Sequence, residues 1–386
     1  MATHQSVITT TAALAEFCAA MAEHEYIAVD TEFLRETTYY AKLCLVQISG
    51  GGNAMAIDPL ADGIDLAPLT TLLSNPDVIK VFHAGRQDLE IFYKMMTALP
   101  APLYDTQIAA MVCGFGAQVG YDRLVKGMLD ITLDKGSRFT DWAQRPLTEK
   151  QVRYALDDVI HLDTLFPMLR DRIAAQGRDG WIDEEFNSIT DTALYNIDPD
   201  EVWRRIKQRG GKPQVLNRLK HLAAWREKEV RRRDMPRSRL IKDETLVAIA
   251  ESNPSNKPAF DRIRGFPGGS GSKLVSPVLA VLNDAEKVPR DDWPKLPQKP
   301  RRQPPQAVLD LLRVLLKHCA EDADVAPRLI ASADDLERIA CGEGAGTPAF
   351  SGWRFDLFGR LAVDLMAGRL ALTANGQRLK IMKNDD

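Results

Sequence analysis

Two carboxylates stand two residues apart in Tyr26-Ile27-Ala28-Val29-Asp30-Thr31-Glu32-Phe33. The run before them is short, apolar and partly β-branched, the pattern of a buried strand. Strand side chains alternate faces with a period of two, which puts Asp30 and Glu32 on one face. Acids held together in this way repel unless a proton or a cation stands between them. A hard divalent ion with oxygen ligands is the simplest neutraliser. The spacing by itself is common, recurring at Asp88/Glu90, Asp183/Glu185, Asp284/Glu286 and Asp335/Glu337. It acquires meaning only if acids from elsewhere in the chain converge on it.

Two later segments offer such acids. In Val81-Phe82-His83-Ala84-Gly85-Arg86-Gln87-Asp88, His83 ends a strand and Asp88 falls in the first or second turn of a helix. Strand-to-helix junctions are where open α/β sheets gather ligands, although the helix dipole alone also favours an acid there. Further on, Thr148 and Gln151 form a capping box that starts a helix. Tyr154 and Asp158 lie four residues apart on it and share a face.

These residues need a frame. Thr9, Thr10 and Thr11 precede a helix over 12–22, and the acidic strand follows. Residues 41–49 alternate as a second strand, with Leu43, Leu45 and Gln47 on one face. Residues 50–53 turn, and 54–58 make a third strand ended by Pro59. Short polar connections between these strands favour an antiparallel meander. Strands at 78–82 and around 103–104 then alternate with helices over 84–97 and from about 106, giving a mixed sheet with helices on its faces. From residue 200 the chain turns basic and helical. A helix over 213–233 ends in Arg231-Arg232-Arg233-Asp234-Met235-Pro236-Arg237, where proline breaks it. Asp243 caps the next helix, and another covers about 272–286. Residues 287–305, with Pro289, Pro294, Pro297, Pro300, Pro304 and Pro305, read as a semi-rigid spacer. Helices near 306–321, 332–341 and 350–367 follow, and 370–381 closes as a hairpin on Asn375-Gly376.

A chain of 386 residues suggests two or three domains. The net charge of −3 conceals an asymmetry: residues 1–200 hold 15 Lys and Arg against 29 Asp and Glu, the remainder 35 against 24. An acidic front joined to a basic back suggests a metal-dependent site coupled to a polyanion-gripping module. The five cysteines are scattered, with no C-x-x-C pair, and read as reduced thiols of a cytoplasmic protein. Met1-Ala2-Thr3-His4 opens no secretory signal, and no apolar run is long enough for a bilayer. No nucleophile elbow, P-loop or dinucleotide fingerprint is present.

D-T-E-F on a first strand, H-x-x-x-x-D-L-E at a later junction and Y-A-x-x-D-V on a closing helix together resemble the DEDDy subgroup of 3′→5′ exonucleases. Tyr104-Asp105-Thr106-Gln107, Phe139-Thr140-Asp141-Trp142 and Arg145-Pro146-Leu147 extend the likeness to the bacterial ribonuclease D family. The basic segment from Trp225-Arg226-Glu227 to Leu240-Ile241-Lys242-Asp243-Glu244 is similar to an HRDC domain. The resemblance implies an α/β RNase H-like exonuclease domain over 1–200, an HRDC domain over 201–288, a linker over 289–305 and a divergent HRDC-like domain over 306–386. It implies two Mg²⁺ or Mn²⁺ ions. Asp30 would touch both, Glu32 and Asp158 the ion that activates water, and Asp88 the second ion through water. Tyr154 would orient the attacking water, since a phenol with pKa near 10 is a poor base at neutral pH. Phe33, Gln47 and His83 are candidate substrate contacts, and Arg232 and Arg233 with their basic neighbours are candidate phosphate contacts. The expected partner of this monomeric, non-membrane protein is RNA with a free 3′ end, such as a tRNA precursor, trimmed to 5′-mononucleotides. Two alternatives stand beside it. One is the same chemistry on DNA, in repair or proofreading, because the 2′-hydroxyl distinguishes the two polymers and no residue reports on it. The other is an inactive nucleic-acid-binding protein, which loss of an acid at 30, 32, 88 or 158 would have favoured.

Overall fold

The computed structural model describes residues 7–134, 136, 140–207, 211–296 and 302–384. Phe139, Pro297, Pro300 and the first six residues, all named above, lie outside the described residues. The order of elements begins β1 (Val7–Ile8), α1 (Thr11–Met21), β2 (Tyr26–Leu34), β3 (Lys42–Gly50), β4 (Asn53–Ile57), α2 (Ala67–Leu73), β5 (Ile79–Phe82), α3 (Arg86–Met96), β6 (Leu103–Asp105), α4 (Thr106–Met111), α5 (Tyr121–Leu129), α6 (Glu149–Ala175) and α7 (Asp183–Thr190). The strands form one mixed sheet in the order β1-β4-β3-β2-β5-β6. β2, β3 and β4 are the antiparallel meander, while β5 and β6 add in parallel beside β2. β1, too short to stand out in the sequence, pairs in parallel with β4.

Alternation along the central strands builds two cores. Ile27, Val29, Val46 and Ile48 face one layer and pack with Leu14, Leu72, Leu89 and Phe92 of α1, α2 and α3. Ala28, Leu45, Ala56 and Val81 face the other and pack beneath Val152, Ala155, Val159 and Phe166 of α6. Small residues on that second face let the 27-residue α6 lie close to the strands. Its position is fixed at its start and near its middle. The Thr148–Gln151 capping box closes its start, and the Ser49 hydroxyl donates to Asp163 Oδ2 at 3.1 Å further along. The loop leading into α6 is anchored by Arg145, whose guanidinium grips Asp58 at 2.6 and 2.7 Å.

Beyond residue 200 come α8 (Pro213–Arg233), α9 (Arg237–Leu240), α10 (Asp243–Ser252) and α11 (Val275–Glu286), around their own core of Leu219, Leu222, Leu246, Ile249 and Val278. Asp243 does not cap α10. Lys242 holds the cap position and makes no side-chain bond there, while Asp243, in the first turn, accepts from the buried Arg226 at 2.7 Å. The last unit has α12 (Gln306–Asp322), α13 (Pro327–Ile330), α14 (Ala333–Ala340), a helical run over 352–366 with a π-turn at Phe355–Gly359, and the hairpin Leu370–Asn375/Arg378–Lys383. Its turn sits one residue later than the Asn-Gly reading placed it. Gly376 and Gln377 form the loop, with glycine supplying φ of +61° at the first position. This unit closes no core of its own: Leu312, Leu315, Ile330 and Phe358 share one core with Ile108, Val125 and Leu165 of α4, α5 and α6. Among the described residues no helix is long and apolar enough to cross a membrane, and all five cysteines are unpaired.

The first helical unit is clamped to the sheet domain through the connection between β2 and β3. Tyr39 and Tyr40 donate their backbone N–H groups to Asp234 Oδ1 at 3.1 and 3.0 Å. The Tyr39 hydroxyl donates to Glu227, which is fully buried. Arg237 meets the same carboxylate at 2.6 and 2.8 Å, and Arg231 at 3.0 and 3.1 Å. Replacing Glu227 with Gln leaves two arginines facing a neutral amide. We expect urea unfolding to register a loss of roughly 2 kcal/mol, less than for a wholly buried pair because both arginines keep some solvent. An unchanged midpoint would show that the docking does not rest on this carboxylate.

Candidate active site

Asp30 and Glu32 project from β2 toward the α6 side of the sheet. Register slips at a bulge between Glu32 and Phe33, which turns the strand at the point where its acids end. Asp158 and Tyr154 come down from α6, and Asp88 enters from the first turn of α3 on the opposite layer. Asp30, Tyr154, Asp157 and Asp158 line a cavity of about 260 Å³, with His83, Tyr121, Asp122 and Asp134 on its walls. Asp30 of β2 and Asp158 of α6 therefore share one cavity over the central strands, and the charge of Asp88 from α3 reaches Asp30.

Their electrostatics show how close they are. Burial raises the Asp30 carboxyl well above the usual range, and the charges of Asp88, Asp158 and Glu32 raise it further. Burial takes Asp88 to about 7, against hydrogen bonds that oppose the shift. Asp158 also rises to about 7, through burial and then the neighbouring charge of Asp157. Asp88 is held by a hydrogen bond from the Thr31 hydroxyl. Thr31 points to the layer opposite Asp30 and is the residue between the two acids, and sequence reasoning passed over it.

Among the described residues no three His, Cys, Asp or Glu side chains are already arranged to hold a metal ion. The donor chemistry nevertheless fits one. The set is all carboxylate, as hard divalent cations require, and the raised Asp30, Asp88 and Asp158 carboxyls hold protons more readily than free ones, so a cation would compete with those protons on entry.

The substrate-contact candidates divide. Phe33 is half-exposed beside the bulge. His83 lines the cavity, but both ring nitrogens are engaged within the protein. Nε2 donates to the Val119 carbonyl at 3.1 Å, and Nδ1 lies 3.0 Å from the Thr106 hydroxyl, which itself donates to the Phe82 carbonyl at 3.1 Å. Burial lowers the His83 pKa. Its ring packs near Tyr121, with centroids 5.4 Å apart, and the Tyr121 hydroxyl donates to the Asp157 carbonyl at 3.2 Å. His83 thus builds the wall and is not poised as a direct hydrogen-bonding contact. Tyr121 carried no signal in the sequence, because α5 was not distinguished there. Gln47 is completely buried beneath α6, so it cannot be a direct substrate contact either. Among the described residues both of its amide atoms lack a partner.

The basic cluster also separates. Arg231 and Arg237 are spent on Glu227, as described above. Arg232 and Arg233 are exposed, each bonded to Glu229 at 2.9 and 2.6 Å. Arg239 and Lys242 are exposed as well.

Comparison with known proteins follows the same divisions. A 3′-5′ exonuclease family model matches residues 5–174, and an HRDC domain model matches residues 215–282. Ribonuclease D of Zymomonas mobilis is 45% identical over 374 residues, 95% of each chain. That of Acidiphilium cryptum is 44% identical, covering 97% of this chain and 96% of its own. The crystal structure of Escherichia coli RNase D, described as an exoribonuclease involved in structured RNA processing, aligns with a TM-score of 0.77 at 31% identity. The alignment covers 94% of this chain and 98% of that one.

The raised carboxyl values have a consequence for stability. A group protonated more readily in the folded state contributes stability that is full below its free value, here 3.8, and is lost as pH rises through about 7. Without divalent cations the melting temperature should fall as pH rises across that window. Millimolar Mg²⁺ should raise it more at pH 8 than at pH 5. A Mg²⁺ effect independent of pH would contradict the coupling.

Proposed function

The chain belongs to the ribonuclease D family of 3′→5′ exoribonucleases, and from that premise we propose that Asp30, Glu32, Asp88 and Asp158 are its metal-binding catalytic acids and Tyr154 their partner. The observation that carries this reading is that Asp30 of β2 shares a cavity with Asp158 of α6 and is raised by the charges of Asp88, Asp158 and Glu32, acids brought from β2, α3 and α6. Two divalent cations, Mg²⁺ or Mn²⁺, would supply a water nucleophile effective at neutral pH and offset charge on the leaving 3′-oxygen. Asp30 would help hold both ions, Glu32 and Asp158 the one that activates water, and Asp88 the other. For Asp88 this would require turning away from Thr31. Tyr154, beside Asp158 on the same helical face, orients the water through its hydroxyl. Phe33, half-exposed at the end of the acidic strand, packs against the terminal base.

The substrate is RNA with a free 3′ end, cut to 5′-mononucleotides, and the structured-RNA role of the Escherichia coli relative supports tRNA precursors as one class. Exposed Arg232 and Arg233, with Arg239 and Lys242 nearby, suit the sequence-independent grip on phosphates that such a substrate needs. Their pairing with Glu229 weakens this without abolishing it, since that carboxylate serves two guanidiniums.

The experiment is direct: 3′-hydroxyl RNA and matched DNA, incubated with Mg²⁺ or Mn²⁺ or neither. Asp158→Ala should lose about 10²-fold or more in kcat and Tyr154→Phe about 10-fold to 10²-fold, with KM little changed. Metal-independent cleavage, or full activity in Asp158→Ala, would sink the assignment. Equal rates on both polymers would show that the site does not use the 2′-hydroxyl. Charge reversal at Arg232 and Arg233 should weaken RNA binding and flatten its salt dependence by about one unit of slope for each phosphate no longer neutralised. An unchanged slope would make them a solvated helix face.

A further inference from the structure

Gln47 sits on β3 in the middle of the catalytic face, opposite Asp30 on β2 and opposite Ala56 on β4. It is wholly buried, and among the described residues neither Nε2 nor Oε1 has a partner. An unpaired amide costs free energy that a leucine or methionine of similar volume does not. Its retention therefore points to a state in which the amide is bonded. The neighbours narrow the choice. Ala56 offers no polar side chain, and the Ser49 hydroxyl, two residues along the same face, is committed to Asp163. Two acceptors are left: Asp163 Oδ1, itself buried without a partner among the described residues on a carboxylate held toward Ser49 and Gly52, and Asp30, directly opposite Gln47 in the strand register. The register favours Asp30. Opposed side chains of an antiparallel pair have Cβ atoms about 4.5–5.5 Å apart, a gap that a glutamine side chain spans by rotation to reach a carboxylate oxygen. Among the described residues no side-chain donor bonds Asp30.

We propose that Gln47 is the positioning residue of Asp30: in the ionised, cation-loaded site its Nε2 donates to the carboxylate from beneath and fixes the rotamer that faces the cavity. The proposal rests on the reading of Asp30 as a metal ligand. It explains why a buried polar side chain sits without a partner at the sheet–helix interface. Gln47 acts on the reaction only through Asp30 and touches neither substrate nor cation.

The test is a double-mutant cycle of wild type, Asp30→Asn, Gln47→Met and the double variant in the full chain. Mn²⁺ affinity is read by calorimetry, melting temperature without metal by scanning calorimetry, and kcat and KM on 3′-hydroxyl RNA. Gln47→Met should melt at or above the wild-type temperature without metal. It should bind Mn²⁺ about 10-fold more weakly and lose about 10-fold in kcat with KM within about twofold. In the Asp30→Asn background it should not alter Mn²⁺ affinity further. Wild-type Mn²⁺ affinity and kcat in Gln47→Met, or the same loss with and without Asp30, would make Gln47 a packing residue and overturn the proposal. If wild type and Asp30→Asn bind Mn²⁺ alike, the assignment of Asp30 itself fails and Gln47's role falls with it. Should Gln47→Met not fold, Gln47→Asn, which withdraws the amide by one methylene, is read in the same cycle.

Discussion

Like charges resist being brought together where water is scarce, and the catalytic face gathers acids from three elements against that resistance. Burial raises the Asp30, Asp88 and Asp158 carboxyls, and neighbouring acids, Glu32 among them, raise Asp30 further, so protons and any cation compete for these groups. A scaffold that holds them must supply its stability elsewhere. It does so with two apolar layers flanking the central strands and with a long helix pinned at several points along its length.

The two helical units brace this scaffold in different ways. The first grips the tip of the β2–β3 connection through Tyr39, Glu227 and two arginines, and that connection continues the strand bearing Asp30 and Glu32. The last contributes side chains to the core beneath α4, α5 and α6, and Ala326 donates its N–H to the Met111 carbonyl at 2.8 Å. The walls of the cavity are thus supported from both sides. Part of the basic character of the HRDC-like segment serves this docking, which reduces the number of arginines left for phosphate.

Much of this was legible in the residues, and the physical reason is secondary structure. The four look-alike acid pairs all fall on helices α3, α7, α11 and α14, where positions two apart do not share a face. Asp30 and Glu32 lie on a strand, where they do. Asp335 instead completes a capping box with Ser332, and Asp284 pairs with Lys287. The meander, the capping box before α6 and the Tyr154/Asp158 face follow from local spacing in the same way. What the sequence did not disclose depends on contacts between distant segments. The role of Glu227 emerges only when Tyr39 arrives from 188 residues away. Gln47 passes for a cavity contact until α6 covers it, and His83 looks free until the Val119 carbonyl occupies its ring.

The central claim is that these four carboxylates share two cations, and anomalous diffraction from crystals soaked in Mn²⁺ with a short 3′-hydroxyl RNA tests it most directly. The account predicts two peaks about 3.5–4 Å apart, Asp30 in contact with both and Asp88 turned from Thr31 toward the second. A single peak, or ions bound away from Asp30, would contradict it.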